Sequence, residues 1–304
     1  MRPPASIVIP LLRQVNDWLQ QAVLSGVDQT VPCEVIVVVS PHTPDSNRAV
    51  LDRIREKHSN LIVIERESHM RFAAALNLGI RSANAARVGF LLSDDWLDPG
   101  AIETCLNRDA DIVSTGRTFF AADGAMVLEE LSQPHSQPIY DRLKTQADRA
   151  NFLGHFFLFR RQALLDAGGV DETIGDSPGV DDFDLIWCLL DRGASVSIVE
   201  ERLYNYRDHP GERLTTRSRE EMVATFSRIL DKHHIAGKER EQLMGEHSLW
   251  FGESMGTAYR RIAGPVLPLP AWLKPLRTLY RAALPLRTRV AIQDRWIRKQ
   301  QRLG

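Results

Sequence analysis

The sequence predicts an α/β fold: a mixed, mainly parallel sheet flanked by helices, continued by a helical C-terminal extension. Three observations lead there. Short β-branched runs alternate four times with helix-period segments before residue 95, the order that builds a doubly wound sheet with crossover helices. The second of those runs is continuously apolar inside rather than at every second residue, as a strand covered on both faces must be. The 304 residues hold one domain of about 200 residues with an appendage left over.

Ser6–Pro10 (SIVIP) is the first strand, ended by proline. Val15, Trp18, Leu19, Ala22 and Val23 then recur at helical spacing and form one apolar face. Glu34–Ser40 (EVIVVVS) is a buried strand, Val50, Leu51 and Ile54 mark a second helix, and Leu61–Ile64 a third strand. Phe72, Ala75, Leu76, Gly79, Ile80 and Ala83 give a third helix and Val88–Leu92 (VGFLL) a fourth strand. Beyond it the pattern loosens into strands of a mixed sheet at Ile112–Thr115, Arg117–Phe120 and Phe156–Arg160. Gln162–Ala167 reads as a short helix closed by Gly168 and Gly169, and Asp181–Asp191 as a helix stopped at Gly193. Ser195–Val199 and Leu203–Tyr206 are short strands. From Arg219 the chain is helical in character and broken by five prolines between Pro265 and Pro285. These patterns predict a domain over residues 1–217, with halves meeting near residue 100, and an extension over 218–304.

The formal net charge of −1 argues against a nucleic-acid partner, but it hides an asymmetry. Residues 256–304 carry eleven Lys or Arg against one acidic residue, a balance of +10, so the remainder is at −11. Between Pro265 and Gly304, Trp272, Leu276, Leu279, Tyr280 and Leu284 interleave with Arg277, Arg281, Arg287 and Arg289. Such a segment either lies on an anionic membrane surface or packs its apolar side on protein with the arginines solvated. Cys33, Cys105 and Cys188 form no disulfide or zinc pattern and suit a reducing compartment. No apolar stretch reaches spanning length and the N-terminus lacks a signal-peptide core. Together these place the chain in the cytoplasm, with the tail a candidate for peripheral contact with the inner membrane face.

Three clusters can carry chemistry. Ser93-Asp94-Asp95 directly follows the fourth strand, where ligands of open α/β sheets bind. Two carboxylates there suit a hard divalent cation; capping of the helix near Pro99 is the plainer reading, and Asp98 is the residue expected to do it. Asp181-Asp182-Phe183-Asp184 opens a helix, whose dipole favours acidic side chains and keeps a general base ionised. Tyr206-Arg207-Asp208-His209-Pro210 offers one histidine, in isolation more often a packing or surface residue than a metal ligand.

In this order and spacing, SIVIP, AAALNLGIRSANAARVGFLLSDDWLDPGAI (Ala73–Ile102), RRQALLDAGGVDE (Arg160–Glu172), VDDFDLIWCLLDRG (Val180–Gly193) and YRDHPGERLT (Tyr206–Thr215) resemble the inverting family 2 glycosyltransferases of the GT-A fold. The resemblance covers about Ser6 to Thr216. It implies a nucleotide-diphosphate sugar donor, a glycan or lipid-linked glycan acceptor, and single displacement assisted by Mn2+ or Mg2+. On this resemblance Asp95 ligates the cation, Asp94 touches the donor sugar or ribose, and Asp182 is the base. His209 falls where some relatives supply a further metal ligand. Pro10, Ser40, His42 and Arg71 fall at the donor, and His155 and Asp181 at the acceptor.

Two departures stand out. The second strand ends Val39-Ser40-Pro41-His42, where the family usually has a carboxylate for the nucleotide base or ribose, leaving Ser40, His42 or Asp45 as substitutes. The segment before the third helix, where the family usually has Asn-Gly-Gly or Lys-Gly, is Ser68-His69-Met70-Arg71, and Leu92 also stands at the usual first Asp of the metal motif. A non-catalytic relative that binds glycans or partner enzymes is the alternative the missing carboxylate raises. A sugar nucleotidyltransferase would want a Gly-rich phosphate loop after the first strand, and Leu11–Asn16 has none.

Overall fold

The apolar runs do become strands, and the order in which they pair sets where a ligand can sit. A computed structural model describes residues 2–68, 71–122, 124, 126–128, 136–153, 156–174, 180–209, 218–248 and 251. The first half of the chain forms β1 (Ser6–Leu11), α1 (Asn16–Val27), β2 (Glu34–Val39), α2 (Asp45–Arg55), β3 (Leu61–Glu65), α3 (Phe72–Ser82), β4 (Arg87–Phe90), β5 (Trp96–Leu97) and α4 (Ala101–Leu106). Then come β6 (Ile112–Ala121), β7 (Met126–Leu128), α5 (Gln137–Tyr140), α6 (Gln146–Phe152), β8 (Phe156–Arg160), α7 (Arg161–Asp166), α8 (Asp181–Asp191), β9 (Val196–Asp208), α9 (Arg219–Lys232) and α10 (Gly237–His247).

The strands form one sheet in the order β3-β2-β1-β4-β8-β6-β9-β5, with β7 beside β6. β1 pairs in parallel with both β2 and β4, and β2 with β3. β8 runs antiparallel between β4 and β6, and β5 antiparallel to β9. This is the mixed α/β sheet flanked by helices that the sequence predicts.

Every residue of β1 and β2 is buried, which is why their runs show no alternation. α3 lies on β1, with Ala73, Ala74, Ala75 and Gly79 all buried. A methyl group added at Gly79 would sit 2.2 Å from Val8 Cγ1, so only glycine allows this approach. Two expectations are corrected. Val15, placed on the apolar face of the first helix, precedes α1 and is 50% exposed. The runs 112–115 and 117–120 form a single strand, β6, through Gly116, and the candidates 195–199 and 203–206 join as β9 through Glu200–Arg202.

Contacts divide the chain into Met1–Arg207 and Asp208–Gly304. In the second unit α9 opens with a capping box between Ser218 and Glu221, and Phe226 stacks on His247 at 4.4 Å between ring centres. Burial holds the His247 imidazole down at about 4, hence neutral. No helix among the described residues is long and apolar enough to cross a membrane. The basic stretch 256–304 lies outside the described residues.

Candidate active site

β1 is flanked by β2 on one side and β4 on the other, so the chain changes winding direction between β1 and β4. A crevice opens outside the carboxyl ends of such a pair. Two turns line it, Leu12–Val15 after β1 and Leu91–Asp95 after β4. The Gln14 side-chain amide donates to Ser93 Oγ across it at 3.4 Å. Asn47 of α2 holds the first turn from below: its Oδ1 accepts from Gln14 N at 2.8 Å, and its amide donates to Gln14 O and Asn16 Oδ1, each at 2.7 Å.

The two carboxylates of the second turn differ in kind. Asp95 is 1% exposed and both its oxygens receive protein donors. Tyr204 Oη donates to Oδ2 at 2.5 Å, and the backbone N–H of Arg207 donates to Oδ1 at 2.7 Å. Burial first, then the Asp95 charge, raises the Tyr204 hydroxyl well above its ordinary value, so it stays a donor. Asp94 is half-exposed, with its carbonyl oxygen accepting from Arg207 Nε at 3.0 Å. Asp95 thus ties β9 to the turn with almost no surface of its own, whereas Asp94 keeps part of its surface exposed.

Asp98 does not cap α4. Gly100 occupies the N-cap without a side-chain bond, and Asp98 Oδ1 instead accepts from the Asn205 amide at 2.8 Å. The tertiary partner on β9 outcompetes the local one.

Asp182 sits half-buried in the first turn of α8, its Oδ1 accepting from Phe183 N at 2.8 Å. Burial pushes its carboxyl up, while bonds to backbone N–H groups and the positive charge of Arg117 pull it down. Arg117, on β6, was not singled out in the sequence. Its guanidinium lies 4.9 Å over the Phe119 ring, and Phe119 meets Tyr206 edge-on at 5.3 Å. Tyr206 immediately precedes the Arg207 that binds Asp95. Arg117 of β6, whose charge acts on Asp182, thus packs through Phe119 on Tyr206 of β9, the residue before the one whose backbone N–H holds Asp95.

A second unforeseen residue supports the approach to α8. Asn77 of α3 accepts from Val170 N and donates to Val170 O and to Glu172 Oε1, all at 2.8 Å. It packs so closely on Gly169 that a methyl group there would lie 2.3 Å from Asn77 Oδ1. The Gly-Gly that read as a helix stop also makes room for this bond.

The remaining predicted residues fall unevenly. Pro10 is buried within β1 opposite Val38, and Ser40 is fully buried with its hydroxyl accepting from His42 N. Both side chains are thus enclosed by the protein. His42 is exposed just beyond β2. Where a carboxylate would usually end that strand, Arg48 instead donates to Ser40 O and Thr43 O and forms an ion pair with Glu65 at 2.5 Å. Arg71 is exposed at the start of α3. Asp181 is 7% exposed, with Oδ1 accepting from Asp182 N at 3.2 Å. His209 is 7% exposed and belongs to the second unit. His155 lies outside the described residues.

Comparison with known proteins bears on the family and the fold. The profile of the family described as Glycosyl transferase family 2 matches residues 6–167. The O-antigen biosynthesis protein RfbC of Myxococcus xanthus is 25% identical over 210 residues, 68% of this chain but 16% of its own length. The chain therefore spans a small part of that relative. S. aureus TarS 1–349 in complex with UDP-GlcNAc superposes with a TM-score of 0.58 at 18% identity, covering 82% of this chain and 72% of that one. The mannosyltransferase PcManGT from Pyrobaculum calidifontis, in complex with GDP-Man and Mn2+, gives 0.57 at 19% identity over 97% and 85%.

Proposed function

From a chain that belongs to glycosyl transferase family 2, we propose an enzyme that moves a sugar, with inversion, from a nucleoside-diphosphate donor to a hydroxyl of a glycan or lipid-linked glycan. The product is a polysaccharide or related surface polymer. The observation that supports this reading is a partly exposed Asp94 at the switch-point crevice together with a half-buried Asp182, raised by burial, at the start of α8.

Each residue then has a task. Asp94 would hold a Mn2+ or Mg2+ ion: a carboxylate oxygen is the hard ligand such ions prefer, and half-exposure leaves room for waters and phosphate oxygens. When bound, the cation offsets the charge growing on the departing diphosphate. Arg71 meets the diphosphate and His42 the nucleoside. Asp182 accepts the proton of the acceptor hydroxyl as that oxygen bonds the anomeric carbon, and the diphosphate departs with the electron pair of the broken bond. A carboxyl raised by burial is a stronger base than an ordinary one, so the same burial that penalises its charge suits it to this step. The tail over 256–304 would bring the enzyme to an anionic membrane surface carrying a lipid-linked acceptor; the bound fraction on anionic vesicles would then fall as salt rises.

The test combines calorimetric titration of UDP- and GDP-sugars in Mn2+ with turnover of Asp182→Asn. The variant should lose about 10²–10⁴ in kcat with donor affinity retained. Full turnover in the variant removes Asp182 as the base. Failure of every donor to bind favours a non-catalytic glycan-binding role instead.

A further inference from the structure

We infer that Arg207 is a positioning residue for the Asp94–Asp95 turn and sets that turn's affinity for a divalent cation, an inference that rests on the metal-dependent reading above. Arg207 is 4% exposed, and burial lowers its guanidinium while Asp95 and Asp94 hold it up. Its surroundings come from three places in the fold: α1, β5 and the Asp94–Asp95 turn. The guanidinium carbon lies 4.9 Å from the ring centre of Trp18 on α1 and 4.8 Å from that of Trp96 on β5. Nη2 donates to Gln21 Oε1 of α1 at 2.5 Å, Nε donates to the Asp94 carbonyl at 3.0 Å, and the backbone N–H donates to Asp95 Oδ1 at 2.7 Å.

A flat cation against two indoles has few rotations open to it. Its Nε–H therefore holds the Asp94 carbonyl at a defined height, and the backbone N–H fixes the next carboxylate. The peptide that orients the Asp94 side chain is thus gripped from the β9 side without Arg207 touching the cation. Outer residues of this kind decide whether a ligand waits in its bound geometry or must be ordered when the ion arrives. Lysine cannot substitute: an ammonium has no Nε–H fork and stacks poorly between rings.

The experiment uses the full chain with UDP or GDP and counts free Mn2+ by electron paramagnetic resonance, alongside thermal melting. Arg207→Lys should remain folded and raise the Mn2+ dissociation constant about 10–100-fold. Gln21→Leu, which removes an acceptor from an exposed residue of α1, should raise it less and in the same direction. A lowered melting temperature with Mn2+ affinity unchanged in both variants makes Arg207 merely structural and overturns the inference. Should Arg207→Lys not fold, unchanged affinity in Gln21→Leu overturns it by itself. If the wild-type chain binds no Mn2+, the metal reading fails and this inference falls with it; wild-type binding with unaltered variants refutes the role of Arg207 alone.

Discussion

Tyr204→Phe removes one atom from the bond that ties β9 to the carboxylate turn, and its cost follows from the geometry. Both partners are 1% exposed, and the hydroxyl donates to a carboxylate at 2.5 Å. Buried hydrogen bonds to charged groups contribute about 1.5–3 kcal/mol. Asp95 keeps its bond from Arg207 N, so the carboxylate is weakened rather than orphaned, and the phenyl ring fills the same space. In a unit running from Met1 to Arg207, each kcal/mol moves the melting temperature by about 2–4 °C. The expected loss is therefore about 3–12 °C, read by circular dichroism on the full chain. Because the folded-state value of Tyr204 is raised, its bond contributes fully below the unfolded tyrosine value of about 10. That contribution fades only as pH climbs through the folded value, so the gap between wild type and variant should persist across neutral and mildly alkaline pH. An unchanged melting temperature at pH 7 would refute the claim that Asp95 is a structural anchor.

Arg117→Met should shift the acid limb of the pH–rate profile upward. The guanidinium stabilises ionised Asp182, so its loss leaves burial less opposed; a limb that stays put or moves down separates Arg117 from the base. Gly79→Ala should destabilise by about 2 kcal/mol, since overpacking costs about 1–3 kcal/mol and the helix gains up to about 1 from alanine. In denaturant titrations the penalty should shrink in a Val8→Ala background, because Val8 is what the new methyl group meets. Chelation of divalent cations should stop transfer and added Mn2+ restore it, as followed by nucleotide release; turnover that survives exhaustive chelation contradicts a metal at Asp94.

Much of this molecule is legible one segment at a time. β2 declares itself through uninterrupted valines and isoleucine, α3 through its alanine face, and the Ser93-Asp94-Asp95 turn through its place at a strand end. These features depend on neighbours a few residues away, which a linear reading includes. The errors share a cause. Asp98 looked like a helix cap until Asn205 competed for it, and Ser40 looked available until the turn after β2 buried it. Arg48 and Asn77 carried no local signal at all. Arg207 stood beside a singled-out histidine, and its adjacency to Tyr206 at the end of a strand was the one hint of a shared role.

By itself the sequence determined the alternating strands and helices from β1 to β4, and that carboxylates would stand beyond the end of β4 and at the start of α8, because periodicity and strand burial are local properties. Only the tertiary structure decided which of two adjacent aspartates faces solvent. That choice belongs to Tyr204 and Arg207, 109 and 112 residues away from Asp95 along the chain, and a carboxylate goes to whichever donors the folded sheet brings within reach.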